Sequence, residues 1–116
     1  MILDDIKQKL TEVDPLVFYG LMHEDSRDLP AWDYIVFNRT KLKNSANKTS
    51  FSDYFEVHIV RENFVPDGLG DAVVAKLQEI PGVKLTGDDG VYDYTVKAST
   101  DTVVEMLTLT FVRARK

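Results

Sequence analysis

The stretch Tyr54–Glu62 (YFEVHIVRE) decides how this chain folds. Phe55, Val57 and Ile59 alternate there with Glu56 and His58, which is the two-residue period of a β-strand with one buried face. Such a strand is stable when its apolar side chains pack against another layer. The segments on either side of it must therefore provide further strands and a covering layer.

Several other segments have strand character, because they are short and rich in β-branched or aromatic residues. Turn sequences separate the later ones: Gly87–Gly90 (GDDG) precedes one strand, and residues 99–102 form a connection of hairpin length before the last. The predicted strands are Leu16–Met22, Trp32–Thr40, Val91–Ala98 and Val103–Arg113, with a brief extended piece at Val83–Thr86.

Two segments have helical periodicity. The first runs from Ile2 to about Val13, with apolar residues spaced three or four apart, and Pro15 ends it. The second runs from about Leu69 to Ile80, and Pro81–Gly82 ends it. Each helix has one apolar stripe, so both can pack on the same sheet.

The order of these segments predicts an α+β fold. We expect one domain over residues 1–116, in which two helices cover one face of a mainly antiparallel sheet of four to five strands. No internal repeat or linker divides the chain.

The amino-acid composition disfavours several classes of function. The chain has 116 residues, of which 44% are apolar and 28% charged, with 14 Lys and Arg against 19 Asp and Glu. The net charge of -5 disfavours broad binding to nucleic acid or to an anionic membrane. Cysteine is absent, which excludes disulfides and thiolate chemistry, and we expect neither a signal peptide nor a membrane-spanning helix.

Charge is distributed unevenly along the chain. The polar stretch 41–53 exceeds the length of ordinary hairpin loops, so we predict a long flexible loop there. It is basic, whereas two other stretches are acidic, and opposite patches on one chain suit head-to-tail contacts between copies. The candidate assembly contacts are the basic Arg39, Lys41, Lys43 and Lys48 and the acidic Glu24, Asp25, Asp28, Asp88 and Asp89.

Motifs for catalysis are weak. The carboxylate-x-Lys triplet of metal-dependent nucleases occurs once, at Asp5–Lys7, on a predicted helix rather than at a strand end. The segment Glu56–His58 is a poor substitute for it, and Gly68–Gly70 lacks the rest of a phosphate-binding loop. We therefore expect no enzyme activity, no catalytic or metal-binding residue and no cofactor.

Six segments together resemble a family of small prophage proteins from Gram-positive bacteria, although none of the segments is catalytic. The resemblance covers nearly the whole chain. Its segments are Trp32–Leu42 (WDYIVFNRTKL), Ser50–Phe55 (SFSDYF), Val60–Gly68 (VRENFVPDG), Ile80–Gly82 (IPG), Thr102–Glu105 (TVVE) and Phe111–Lys116 (FVRARK).

This family is similar in size and element order to the tail terminators, or head–tail joining proteins, of long-tailed phages. The resemblance implies a ring of six copies at the head-proximal end of the tail tube, where the ring stops tube growth and contacts the head connector. It implies assembly in the host cytoplasm followed by residence in the virion tail, with no membrane and no sequence-specific nucleic acid among the partners. A metal-dependent nuclease and a small regulatory binding module are the alternative functions.

Overall fold

The computed structural model describes residues 2–20, 33–44, 51–87, 89–96 and 100–115. These residues form two helices and six strands. In chain order the elements are α1 (Ile2–Thr11), β1 (Val17–Tyr19), β2 (Tyr34–Asn44), β3 (Phe51–Glu62), α2 (Leu69–Leu77), β4 (Val83–Leu85), β5 (Val91–Val96) and β6 (Val103–Arg115).

The strands form one mixed sheet in the order β1-β2-β3-β6-β4, with β5 also paired to β6. Strands β4 and β5 share one edge of β6, because β4 pairs with Phe111–Arg113 and β5 pairs with Val103–Thr108. All pairs are antiparallel except the first, in which β1 runs parallel to β2. The predicted α+β class is confirmed, and the sheet has six strands rather than four to five.

The parallel pairing of β1 departs from a purely antiparallel arrangement for a reason of chain length. Antiparallel neighbours can be joined by a tight turn, whereas a parallel neighbour needs a long connection that brings the chain back to the same end of the sheet. More than a dozen residues separate Tyr19 from Tyr34, which is long enough for that return.

The predicted loop at residues 41–53 has the wrong bounds. Strand β2 continues to Asn44, and β3 already begins at Phe51. Within the predicted loop, residues 41–44 are therefore paired with residues 51–54, with Leu42 opposite Asp53 and Lys43 opposite Ser52. Polar side chains are compatible with strands when both sides of the sheet are accessible to water, which is why composition alone misplaced the loop.

One face of the sheet, which we call the helix face, packs against both helices. The stacked rings of Phe55 and Phe111 lie on it with centroids 5.4 Å apart, and both side chains are buried. Ile6 and Leu10 of α1 and Val73 and Leu77 of α2 close the core over these rings and their neighbours Ile35, Phe37, Val57, Ile59, Leu107 and Leu109.

The opposite face of the sheet also has apolar content. Tyr34, Val36, Val60 and Val104 form a second buried cluster there, and Phe18 lies edge-on to Tyr34 with ring centroids 5.7 Å apart. The strand β2 is therefore apolar on both sides over its first four residues, whereas its later residues are polar.

A buried ion pair joins the end of α1 to the middle of the sheet. Asp14 is 3% exposed, and its Oδ2 lies 2.6 Å from Nη2 of Arg61 on β3. The other carboxylate oxygen accepts a hydrogen bond from the backbone N–H of Leu16, while Nη1 of Arg61 donates to the carbonyl of Val60. The turn that leads into β1 is thereby attached to β3 by side-chain contacts.

Arg61→Met should destabilise the fold by roughly 3 kcal/mol, because it leaves the Asp14 carboxylate buried without its charged partner. Urea unfolding measures this change. The matched control is Arg39→Met, which removes an exposed guanidinium and should change the free energy of unfolding by less than about 0.5 kcal/mol. Equal effects of the two substitutions would contradict a special role for the Asp14–Arg61 pair.

Candidate assembly surface

Three long strands continue beyond the stacked rings of Phe55 and Phe111. Asn44 pairs with Phe51, and Phe51 pairs with Arg115, so the ends of β2, β3 and β6 remain hydrogen-bonded to one another. We call residues 38–44, 51–54 and 112–115 the sheet arm. It presents large apolar side chains to solvent, since Leu42 is 52% exposed and Phe51 is 40% exposed.

A β-bulge at Thr40 determines which way the basic side chains of the arm point. Arg39 pairs with Phe55, but the register shifts by one residue so that Lys41 pairs with Tyr54. Directly opposed residues lie on the same face of a sheet, so Arg39 lies on the helix face with Phe55, and Lys41 lies on the opposite face with Tyr54. Lys43, two residues beyond Lys41, also lies on that opposite face.

The side-chain contacts agree with this division. Nε of Arg39 donates a hydrogen bond of 3.2 Å to Oη of Tyr19 on β1. The ammonium of Lys41 lies 4.5 Å from the ring centroid of Tyr54, a cation–π contact on the opposite face. The structure therefore places Arg39 apart from Lys41 and Lys43, and these cations do not form the single basic patch that their sequence positions suggested. Lys48 lies outside the described residues.

Most of the predicted acidic contacts also lie outside the described residues: Glu24, Asp25, Asp28 and Asp88. Asp89 is described, and it is exposed immediately before β5. Asp93 ends the acidic stretch that begins at Asp88 but is not among the predicted contacts; it lies in the middle of β5 on the opposite face, where it pairs with Met106. Its position inside a predicted strand concealed it, although the alternation of the strand already placed it on the side away from Tyr92 and Tyr94.

Strand β5 is exposed along its whole length. Tyr92, Tyr94 and Val96 are 53%, 65% and 55% exposed, although their alternation is typical of a buried strand face. Among the described residues β5 pairs with β6 alone, so its outer edge is free. The hydroxyl of Tyr94 is hydrogen-bonded to Glu105, and that bond raises the pKa of Tyr94.

The outer edge of β2 is free in the same sense beyond Phe37. Strand β1 covers residues Ile35–Phe37, and its last contact is the N–H of Gly20 donating to the carbonyl of Phe37. In the part of the chain that the structure describes, no strand pairs with the outer edge of residues 38–44. The sheet thus has a free edge on each side, and free strand edges present unpaired backbone donors and acceptors.

A polar network spans three strands on the opposite face near Asp93. His58 lies 2.9 Å through Nδ1 from Oγ1 of Thr108 and 3.1 Å through Nε2 from Oδ1 of Asn38. Burial lowers the pKa of His58, while the charges of Glu56 and Asp93 oppose that shift. The neutral imidazole is therefore favoured in the folded protein.

A groove of about 430 Å³ lies on the helix face between the start of α2 and the edge formed by β4 and β5. Glycines make room for it: a Cβ on Gly70 would lie 3.1 Å from Leu107, and one on Gly90 would lie 3.2 Å from Leu109. The groove is apolar at its base, and the carboxylates of Asp67 and Asp71 lie along its lining.

The residues weighed for metal chemistry are distributed over different elements. Asp5 and Lys7 lie on α1. Glu56 and His58 lie on β3, where Nε2 of His58 is 3.7 Å from Oε1 of Glu56. Among the described residues, no three side chains of the types His, Cys, Asp and Glu converge as metal ligands would. No helix in the described ranges is both long and apolar enough to cross a bilayer.

A chain of the virion of a native gene transfer agent particle is similar to this chain, with a TM-score of 0.47 and 12% sequence identity over 96% of this chain and 92% of that one. No protein-family model matches the chain, and no curated protein matches it.

The pKa of His58 predicts how stability depends on pH. Its pKa in the fold lies below the ordinary value of 6.5, so the unfolded chain binds a proton first as pH falls. Stability should be full above pH 6.5 and should decrease below it. Urea unfolding at pH 7.5 and at about pH 5 measures the decrease, and His58→Gln should lose less stability between the two values.

Both proteins in this comparison retain His23, so the difference between them reports on His58 alone. An identical decrease for the wild-type chain and the His58→Gln variant would contradict the assignment.

Proposed function

We propose that this chain is a structural protein of a long-tailed phage or prophage virion. In this proposal it acts as a tail terminator, or head–tail joining protein, by assembling into a ring of six copies at the head-proximal end of the tail. The observation that carries the proposal is the sheet arm, which exposes Leu42 and Phe51 together with Lys41 and Lys43. Exposed apolar side chains beside charges are typical of surfaces that become buried in contacts.

The resemblance to the prophage family supports the particular role. The segments that resemble the prophage family, Trp32–Leu42 and Ser50–Phe55 among them, include the bulged part of β2 and the start of β3, which together build most of the sheet arm. A further segment, Phe111–Lys116, includes the end of β6, the third strand of the arm. The resemblance therefore includes most of the sheet arm, together with segments outside it.

The mechanism requires burial of surface and no chemical step. Copies associate because apolar side chains of the arm leave water and because opposite charges meet, and the neighbouring tail tube and head connector proteins would be bound in the same way. We propose that no bond is made or broken by the side chains of this chain, and that it needs neither a metal nor a cofactor. Turnover of a substrate that one acidic substitution abolishes would contradict this.

Removal of the protein from a prophage that encodes it tests the role directly. A terminator stops tube growth, so its loss should produce tails longer than normal that carry no heads, and expression of the wild-type chain should restore both length and joining. Electron microscopy of induced lysates measures tail length. Tails of normal length without heads would instead indicate a different head–tail component, and complete virions would contradict both roles.

The combined variant Lys41→Ala, Lys43→Ala, Lys48→Ala should separate assembly from folding. Exposed charges contribute little to stability, so its melting temperature should remain close to that of the wild-type chain. Its yield of joined, infectious particles should fall. The matched control is Lys7→Ala, which removes an exposed lysine from α1 and should leave both measurements unchanged. Wild-type infectivity of the triple variant would contradict a role for the arm in docking.

A further inference from the structure

Among the residues that the structure describes, the sheet has two free edges, which differ in kind and lie at opposite ends of the strand order. One is β5, which pairs with β6 alone, and the other is residues 38–44 of β2, beyond the part that β1 covers. An exposed edge strand can accept a strand from another chain through backbone hydrogen bonds. Two different free edges on one molecule allow each copy to bind a neighbour on either side.

The side chains along β5 differ between its two faces. Tyr92, Tyr94 and Val96 lie on the helix face. They pair with alternate residues of β6, starting from Leu107, which lies on that face. Asp93 lies between them on the opposite face, and Asp89 precedes the strand. This edge is therefore apolar and aromatic on one face and acidic on the other.

The edge of β2 carries the complementary pattern. Leu42 pairs with Asp53 and lies on the helix face, where it is exposed, whereas Lys41 and Lys43 lie on the opposite face. The bulge at Thr40 creates this arrangement, since unbroken alternation would place Leu42 and the two lysines on the reverse faces.

We propose that β5 of one copy pairs with residues 38–44 of β2 in a second copy, so that one sheet continues from subunit to subunit. When the two sheets share the same faces, Tyr92, Tyr94 and Val96 meet Leu42 on the helix face. On the opposite face Asp93 meets Lys41 and Lys43. This contact rests on the proposed assembly role and names the surfaces through which copies would associate.

The topology determines the direction of the new pairing. In this contact the helix faces of the two copies lie on the same side of the joined sheet. The second copy is then related to the first by a translation within the sheet, so its strands keep their directions. Strands β3 and β6 alternate in direction between β2 and β5, so β5 runs opposite to β2 and the new pairing is antiparallel. Every copy then donates one edge and accepts another, which is the heterologous contact from which rings are built.

The contact also shifts the neighbour along the strands. Val91 of β5 is opposite Thr108, Thr108 is opposite His58, and His58 is opposite Val36, so Val91 and Val36 lie on one line across the sheet. The free edge of β2 begins further along, at Asn38, and extends to Asn44. The second copy must therefore move by an even number of residues, about six or eight, since an odd shift would exchange the faces; this is roughly 20 to 26 Å at the rise of a strand. The shift places its β1 beyond the end of β5, and it makes the strands oblique to the ring axis, as they are in closed β-barrels.

Charge reversal tests this contact. One variant carries Asp89→Lys and Asp93→Lys, and the other carries Lys41→Glu and Lys43→Glu. Each variant alone places like charges at every contact, so its self-association measured by analytical ultracentrifugation should be at least tenfold weaker than that of the wild-type chain. An equimolar mixture should recover association, because every contact between unlike chains pairs opposite charges and an even-numbered ring can alternate them.

Crosslinking identifies the edges. The natural sequence contains no cysteine, so single cysteines can be introduced without background. A mixture of Tyr94→Cys and Leu42→Cys chains should form a dimer with a short bifunctional thiol reagent, while each chain alone and the control Lys7→Cys should not. Dimers of Tyr94→Cys alone would indicate that β5 pairs with another β5 and would overturn the proposal.

The outcomes separate this inference from the proposed function. Wild-type chains that associate while the mixed variants do not recover, or chains that remain monomeric at millimolar concentration, overturn the edge contact and leave the tail-length experiment to judge the role. Recovery and crosslinking together with complete virions in the absence of the protein would support the contact and reject the terminator role.

Discussion

The pairing of β3 with β6 is the interaction on which the rest of the molecule depends. All twelve residues of β3 are matched to β6, from Phe51 opposite Arg115 to Glu62 opposite Val104. Along this ladder the stacked rings of Phe55 and Phe111 form the centre of the core that the helices cover. Beyond those rings the same ladder continues into the sheet arm, so a change of register would alter the core and the proposed contact surface together.

Two local features orient the other strands around that ladder. The buried Asp14–Arg61 pair holds the end of α1 and the start of β1 against β3, and removal of one charge from such a pair costs more than the pair contributes. The bulge at Thr40 turns Lys41 and Lys43 away from the helix face. The first feature maintains the edge at β1, and the second determines which side chains the neighbouring edge of β2 presents.

The proposed association depends on the two strand edges that no other described strand covers. Natural sheets commonly protect their edges with charges, bulges or short strands. Here β2 has lysines and a bulge, while β5, whose outer edge pairs with no other described strand, exposes two tyrosines and two valines. A protective pattern on one side and an apolar strand on the other are compatible with one another, which is the basis of the proposed contact between copies.

Periodicity in the chain was enough to predict the α+β class, both helices and the strand at Tyr54–Glu62, because an alternating or helical pattern reports directly on which side chains are buried. Polar segments have no apolar periodicity that would indicate which side chains are buried. Residues 41–44 and 51–53 were therefore mistaken for loop, although they belong to paired strands. The division of Arg39 from Lys41, the exposure of Tyr92 and Tyr94 and the parallel pairing of β1 depend on contacts between residues far apart in the chain. Those contacts exist only after the strands have paired, and no local pattern encodes them.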